Sequence, residues 1–414
     1  MSRASGKQKG MLPPVLELYV VWHPEDDLGA DIARQLVDHF HGTAYTGLIG
    51  GAVEVYVRSA GWQDPQDAPR PIPFPGRPWA NGLEPARYVA VVPVLRKKMQ
   101  RAVQFGDTPW RRYVAGLVEA HRRDPEHVEI FPIAVDPGVR GRLDELMGDF
   151  QRVDTVEQGG GDGERRCTDL AQMLAQKLDG VTERIRVFIS HSRQRAEDDE
   201  EGPGPLTEEV RSVLRTTHLD EFFDAVALQP GRKWKEELRR NAAEGAMLVL
   251  RSDRYSSRPW CQEEMRTAKY AGLPIVVIDD LHRGEERGSY LLDHVPRVPA
   301  HLGGDDRSAA IRRALSILVD ECLKRALWRR QQEAAADDTD LDVAWWAAHA
   351  PEPITLLHWM AEHADRCAGR PLILHPDPPL GDPELSVLEQ LAKAAGIEDG
   401  IEVLTPRGLA TRGG

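Results

Sequence analysis

The sequence predicts an α/β protein made of two successive three-layer units on parallel sheets, followed by a small α/β unit. Three observations carry this reading. Short apolar, β-branched runs such as RVFIS (186–190) and PIVVI (274–278) are the right length for strands buried on both faces. Segments with helical spacing, such as 206–217 and 260–271, lie between them. The same alternation occurs twice, from about residue 16 to 179 and again from 185 to about 328, which points to an internal duplication.

In the first unit a strand over 17–21 (ELYVV) is followed by a helix over 28–40 and a strand over 53–58. A proline-rich loop leads to a buried strand over 88–94, a helix over 110–121 and a strand over 128–135. A polar stretch at 159–163 breaks the pattern. The second unit is more regular. Its first strand, 186–190, ends in the turn signal Ser-His-Ser, and an acidic insertion at 196–205 precedes the helix over 206–217. A strand over 221–225, the Pro230-Gly231 turn, a helix over 234–243 and a strand over 246–250 come next. The helix over 260–271, the strand over 274–278 and a long closing helix over 308–326 complete it. In such sheets ligands collect at the carboxyl ends of the strands, where helix N-termini point.

Residues 331–340 (QQEAAADDTD) read as a helix end and a linker. Beyond them 345–367 reads as mostly helical, 371–375 (PLILH) as a strand, 384–395 as a helix and 401–404 as a strand. Roughly 80 residues are few for a complete α/β domain, and the loop HPDPPLGD lacks the glycine patterns of phosphate-binding loops. The expected division is therefore a flexible tail at 1–12, domains at 13–180 and 183–330, and a small unit at 341–414.

The chain has 414 residues, with 53 Lys+Arg against 66 Asp+Glu and a formal net charge of −13. An acidic balance of this size gives no electrostatic reason to bind nucleic acid or an anionic membrane. No stretch approaches the ~20 consecutive apolar residues of a membrane-spanning helix. The opening MSRASGKQKG is polar and basic with no apolar run after it, unlike a signal peptide. Cys167, Cys261, Cys322 and Cys367 form no CxxC pair and no secreted framework. These features predict a reduced, cytoplasmic protein.

The second unit contains, in order, RVFISHS, EFFDAVALQPGRKWKEEL and LVLRSDRYSSRPWCQEEM. This set resembles a Toll/interleukin-1 receptor (TIR) domain over about 185–328. That family shows a strand ending in Ile-Ser-His/Tyr, a Phe-x-Asp strand leading to a Pro-Gly loop, and Ser-x-x-Tyr-x-x-Ser-x-Trp-Cys-x-x-Glu. The last motif falls here on Ser252, Tyr255, Ser256 or Ser257, Trp260, Cys261 and Glu264. One departure is the run Arg193, Gln194, Arg195, where the family commonly has an acidic residue.

The resemblance implies tandem flavodoxin-like (TIR-type) three-layer domains and one of two roles. TIR domains either assemble with one another as adaptors or, in the bacterial NAD+-cleaving type, split NAD+ at the nicotinamide–ribose bond. The enzymes use the glutamate four residues after the tryptophan, which is Glu264; its neighbour Glu263 points about 100° away on a helix. One carboxylate can suffice. Glycoside hydrolysis normally needs an acid to protonate the leaving group, whereas the nicotinamide of NAD+ is cationic and departs neutral. What remains is an oxocarbenium-like ribose that a placed anion stabilises. NAD+ is thus expected as substrate, with no cofactor and no metal.

Ser190, His191, Ser192 and Arg193 follow the first strand and could meet the diphosphate with hydroxyls, a cation and backbone N–H groups; turn and capping roles are the alternative. Phe223 and Asp224 end the second strand, with core packing the alternative for Phe223, and Gly231 lets the next loop turn. Trp260 is expected by resemblance to pack as a helix anchor beside the substrate, and Cys261 to be a small buried residue. By resemblance the site is completed by self-association, in a bacterial anti-phage or cell-suicide response. A regulatory protein or nucleotide signal is a further expected partner.

Aligning Trp110 with Trp260 places Val114 where Glu264 stands, so the first unit reads as a degenerate TIR-like domain for assembly or sensing. Its first loop, WHPEDD, is acidic and expected to repel a diphosphate unless a metal intervenes. Glu25, Asp26 and Asp27 could form such a metal site or simply cap the following helix. Two rival functions stay open: a non-catalytic TIR scaffold, and a nucleotide-signal receptor with TIR output.

Overall fold

The computed structural model describes residues 15–42, 45, 53–61, 64, 67–76, 85–104, 106–134, 147, 150, 153–154, 163–192, 205–221, 245–285, 287–300, 305–338 and 341–412. Contacts divide the chain into two compact units. One comprises Leu12–Leu174 with Arg329–Asp337, the other Ala175–Trp328 with Asp338–Gly414.

The first unit runs β1 (Leu16–Val21), α1 (Asp27–Phe40), β2 (Val53–Arg58), β3 (Tyr88–Leu95), α2 (Lys97–Gln104), α3 (Pro109–Arg123), β4 (Val128–Ile130), β5 (Ile133–Ala134) and β6 (Val153–Asp154), and ends in the first part of α4 (Gly163–Asp179). Every residue of β1 and β3 is buried, as expected of central strands in a parallel sheet. The strand order is β2-β1-β3-β5-β6, with β4 also on β3, and all pairs are parallel. The expected strand over 128–135 is split at Phe131-Pro132, because Pro132 has no N–H to give the ladder. α2 was not expected: KKMQRAVQ buries only Met99 and Val103, a stripe too thin to register as periodicity.

α3 starts cleanly because Thr108 caps it, its hydroxyl accepting from the Arg111 N–H at 3.0 Å, with Pro109 in the first turn. One face of α3 places Trp110, Val114 and Leu117 against Tyr19, Val91 and Ile130. Thr108→Ala is expected to cost about 1 kcal/mol, read as a lower urea midpoint at unchanged slope. No change in the midpoint would show that the cap carries no weight.

The second unit contains β7 (Arg186–His191), α5 (Pro205–Leu214), β8 (Asp220–Glu221), β9 (Gly245–Arg251), α6 (Pro259–Tyr270), β10 (Ile275–Asp279), β11 (Arg297–Pro299) and most of α7 (Asp305–Asp338). Its parallel sheet is ordered β11-β10-β9-β7-β8. Numbered from β7, this is the 2-1-3-4-5 order of flavodoxin-like doubly wound folds. Phe188 and Ile275 both register with Met247, and these three join Val249, Tyr255, Met265 and Val277 in one core. The expected helix over 234–243 and the strand beyond residue 221 lie outside the described residues. α7 is 34 residues long and continues to Asp338, farther into the stretch expected to be a helix end and linker than that reading implied. The alanines of QQEAAADD favour helix strongly enough to override the polar reading.

The same unit closes with β12 (Trp345–Trp346), α8 (Pro353–Glu362), β13 (Leu372–Leu374), α9 (Asp382–Ala394), β14 (Glu402–Leu404) and α10 (Pro406–Arg412). β12, β13 and β14 form a parallel three-stranded sheet over a core that includes Leu356, Trp359, Ile373 and Leu388. The stretch 345–367, expected to be mostly helical, opens with a strand and is helical from Pro353. In that strand Trp345 and Trp346 pair with Ile373 and Leu374. Ile354 of α8 packs on the core of the five-stranded sheet. No helix among the described residues is long and apolar enough to cross a membrane.

Candidate active site

The site is assembled where β7, β9 and β10 end. β7 delivers Ser190 and His191 at its carboxyl end, where they register with Val249 and Leu250 of β9. The chain after β9 makes a tight turn over residues 253–257 and enters α6 at Pro259. One helical turn after Trp260, Glu264 comes to lie against the end of β7, with only 3 % of its surface exposed.

The Glu264 carboxylate accepts a hydrogen bond from Ser190 Oγ at 2.5 Å, and Ser190 Oγ is in turn 2.7 Å from the Tyr255 hydroxyl. With its proton given to Glu264, Ser190 accepts from Tyr255, so the three form a short relay ending on the carboxylate. Burial pushes the Glu264 pKa up to about 7, while hydrogen bonds from Ser190 and the Trp260 indole hold it lower than burial alone would. A carboxyl poised near neutrality in this position is the signature of a group placed for chemistry or for tightly coupled structure. Cys261, below it, has its thiol pushed up to about 12 by burial and by the nearby Glu264 carboxylate, which leaves no thiolate at neutral pH.

The surrounding loops are tied down by charge. Arg251 reaches Asp279 at 3.0 Å and Glu285 at 2.5 Å, and Glu285 also accepts from the Ser256 hydroxyl at 2.7 Å. Asp253 accepts from the backbone N–H groups of His282, Arg283 and Gly284 at 2.9–3.2 Å. Gln262 donates to the Ser256 carbonyl at 2.7 Å, joining the turn to α6. These contacts fix the approach of α6 to the sheet and hence the aim of Glu264.

Of the residues singled out from sequence, Glu264 and Ser190 meet directly. Ser192 Oγ lies 2.6 Å from Ser252 Oγ, linking the ends of β7 and β9. His191 is half-buried, and its carbonyl lies 3.8 Å from the Cys261 thiol. Trp260 departs from its expected role as a packed anchor: it is 40 % exposed, because Tyr255, Cys261 and Met265 fill the core beneath the helix. Glu263 turns away and pairs with Arg266 at 2.7 Å. Arg193, Phe223, Asp224 and Gly231 lie outside the described residues. Tyr255 and Arg251 were not singled out as site residues; Tyr255 stands in the serine–tyrosine motif, whereas nothing in sequence marks Arg251.

Val114, which the alignment of Trp110 with Trp260 sets opposite Glu264, is buried in the core of the first unit. The acidic first loop meets counter-charges, and Asp26 takes the capping role that was the alternative to a metal site. Asp26 caps α1 through the Gly29 N–H and meets Arg96 at 3.0 Å, and Glu25 meets Lys98 at 2.7 Å. Both cations come from the segment around α2, which sequence did not reveal. Among the described residues no cluster of three His, Cys, Asp or Glu side chains is placed to hold a metal.

Comparison with known families bears on the second unit alone. The model of the TIR domain family matches residues 187–315, from the second residue of β7 into α7. A TIR domain is found at residues 187–315. Glu264, Ser190, Tyr255 and the loops that hold them all lie within this TIR domain. No curated protein and no solved structure matches the chain.

Proposed function

We propose that the TIR domain is an NAD+ glycohydrolase, with Glu264 as the catalytic carboxylate, switched on by self-association in a bacterial immune or cell-suicide response. The observation that carries this reading is a carboxyl buried at the carboxyl ends of a parallel sheet and held by Ser190 at 2.5 Å, where burial pushes its pKa up to about 7. In the reaction the bond between the ribose carbon and the nicotinamide nitrogen breaks, and its electron pair leaves with neutral nicotinamide. Glu264, ionised, stabilises the positive ribose centre. Water then bonds to that carbon and releases a proton, giving ADP-ribose; attack by an internal nucleophile instead gives a cyclic product. Ser190 holds the carboxylate in place. The first unit, with the same parallel strand order and Val114 in place of the glutamate, serves assembly or sensing.

Nicotinamide release from NAD+, measured across pH, tests this reading. Because the ionised form acts, the rate rises with pH through a midpoint of about 7 and then levels. Ser190→Ala removes a donor that favours the charged form, so its midpoint moves to higher pH. A profile that is flat from pH 5 to 9, or a Ser190→Ala midpoint that moves down, contradicts the role given to the pair. A non-catalytic TIR scaffold is the second reading, favoured by the near-complete burial of Glu264. It predicts no release at any pH.

A further inference from the structure

The carboxyl half of α6, the helix that carries Glu264, lines a solvent-open cavity of about 260 Å³ together with C-terminal residues of the same unit. Small-molecule sites occupy roughly 300–1,000 Å³, so this one has room for a single ring system and not for a dinucleotide. Its walls are aromatic. Trp345 and Trp359 lie parallel, with ring centres 5.3 Å apart and planes 5° apart, and His363 continues the column on Trp359 at 6.1 Å and 17°. A second parallel pair lines the same cavity, Tyr270 of α6 and His358 of α8, 3.9 Å apart with planes at 8°. All five rings line the cavity.

Charge selects the class of occupant. The charged groups on the walls face opposite charges within the protein, Lys269 with Glu352 at 2.6 Å and Glu321 with Lys324 at 2.5 Å, and the His294 ring lies 3.1 Å from the Glu384 carboxylate. A phosphate would enter beside carboxylates already matched, and a cation beside cations already matched. An uncharged planar ring extends either column at no electrostatic cost, and the indole and imidazole edges offer it donors and acceptors.

We propose that this cavity is a binding site for an uncharged planar nitrogen heterocycle of nucleobase size. Its occupant bridges α6 and α8 about 7.5 Å along the helix from Glu264, five residues at 1.5 Å each. Binding does not depend on whether the TIR domain cleaves NAD+.

Isothermal titration of the full chain with adenine, hypoxanthine, uracil and nicotinamide, beside AMP and cyclohexanol, tests the assignment. Saturable binding is expected for at least one of the four heterocycles, with AMP weaker than adenine and cyclohexanol silent. Trp345→Ala and Tyr270→Ala, one from each ring pair, are each expected to weaken it about fivefold or more. Circular dichroism verifies that each variant is folded, and either one suffices if the other is not. Absence of binding by all four heterocycles, equal binding of cyclohexanol, AMP tighter than adenine, or undiminished affinity in a folded variant overturns the proposal.

Discussion

Glu264→Gln is expected to lower nicotinamide release by about 10²–10³-fold or more while leaving the protein folded and, above neutral pH, more stable. The rate loss follows from removing a preorganised charge aimed at a developing opposite charge, an effect worth about 3–4 kcal/mol. The stability gain follows from burial. The folded-state pKa of Glu264 is raised from 4.5 to about 7, so between these values the native chain holds a proton that the unfolded chain has lost. Stability therefore falls as pH rises through this window, by about 3 kcal/mol in total, and the deficit is complete above pH 7. The uncharged amide carries no such penalty. Thermal melting should place the variant above the parent at pH 8, with the difference shrinking toward pH 5. A variant less stable than the parent at pH 8 would show that the charged carboxylate holds the loops together structurally, and would weaken the catalytic reading with it.

The second large effect concerns Lys269 and Glu352, which join α6 to α8. Lys269 Nζ contacts both Glu352 oxygens at 2.6–2.7 Å and donates to the Asp293 carbonyl at 2.7 Å. Burial pushes the Lys269 pKa down and the Glu352 pKa up, so desolvation works against both charges and only their attraction keeps them. Lys269→Met strands a buried carboxylate and is expected to cost about 3–5 kcal/mol at pH 8. The cost should shrink toward pH 5, because the stranded Glu352 escapes its penalty by taking up a proton. Lys269→Met combined with Glu352→Gln should recover most of the loss, and non-additivity in chemical denaturation measures the coupling. Equal, additive losses from the two single changes would mean that the pair does not act as a unit.

The parallel sheet of the TIR domain was legible because RVFIS and PIVVI have no reading other than buried strands, and their neighbours have clear helical spacing. Elements that draw stability from the surroundings were not. β11 is three residues between prolines and loops, β12 is two tryptophans whose partners lie in β13, and α2 is mostly polar. The extent of the end of α7 was underread because acidic residues among alanines look like a linker when the rest of the helix is out of view. In the site, the motif gave Glu264 but not its setting. Its contact with Ser190 spans 74 residues and that of Lys269 with Glu352 spans 83, separations over which a single sequence carries no pairing signal. The same blindness made WHPEDD look uniformly repulsive, since Arg96 lies 70 residues from Asp26.

The most direct test of the central claim is nicotinamide release at pH 8, parent beside Glu264→Gln, over a series of protein concentrations. Release by the parent that rises more steeply than in proportion to concentration, with none from the variant, is the predicted result. Equal rates from the two proteins, or silence from the parent even at the highest concentration, would contradict it.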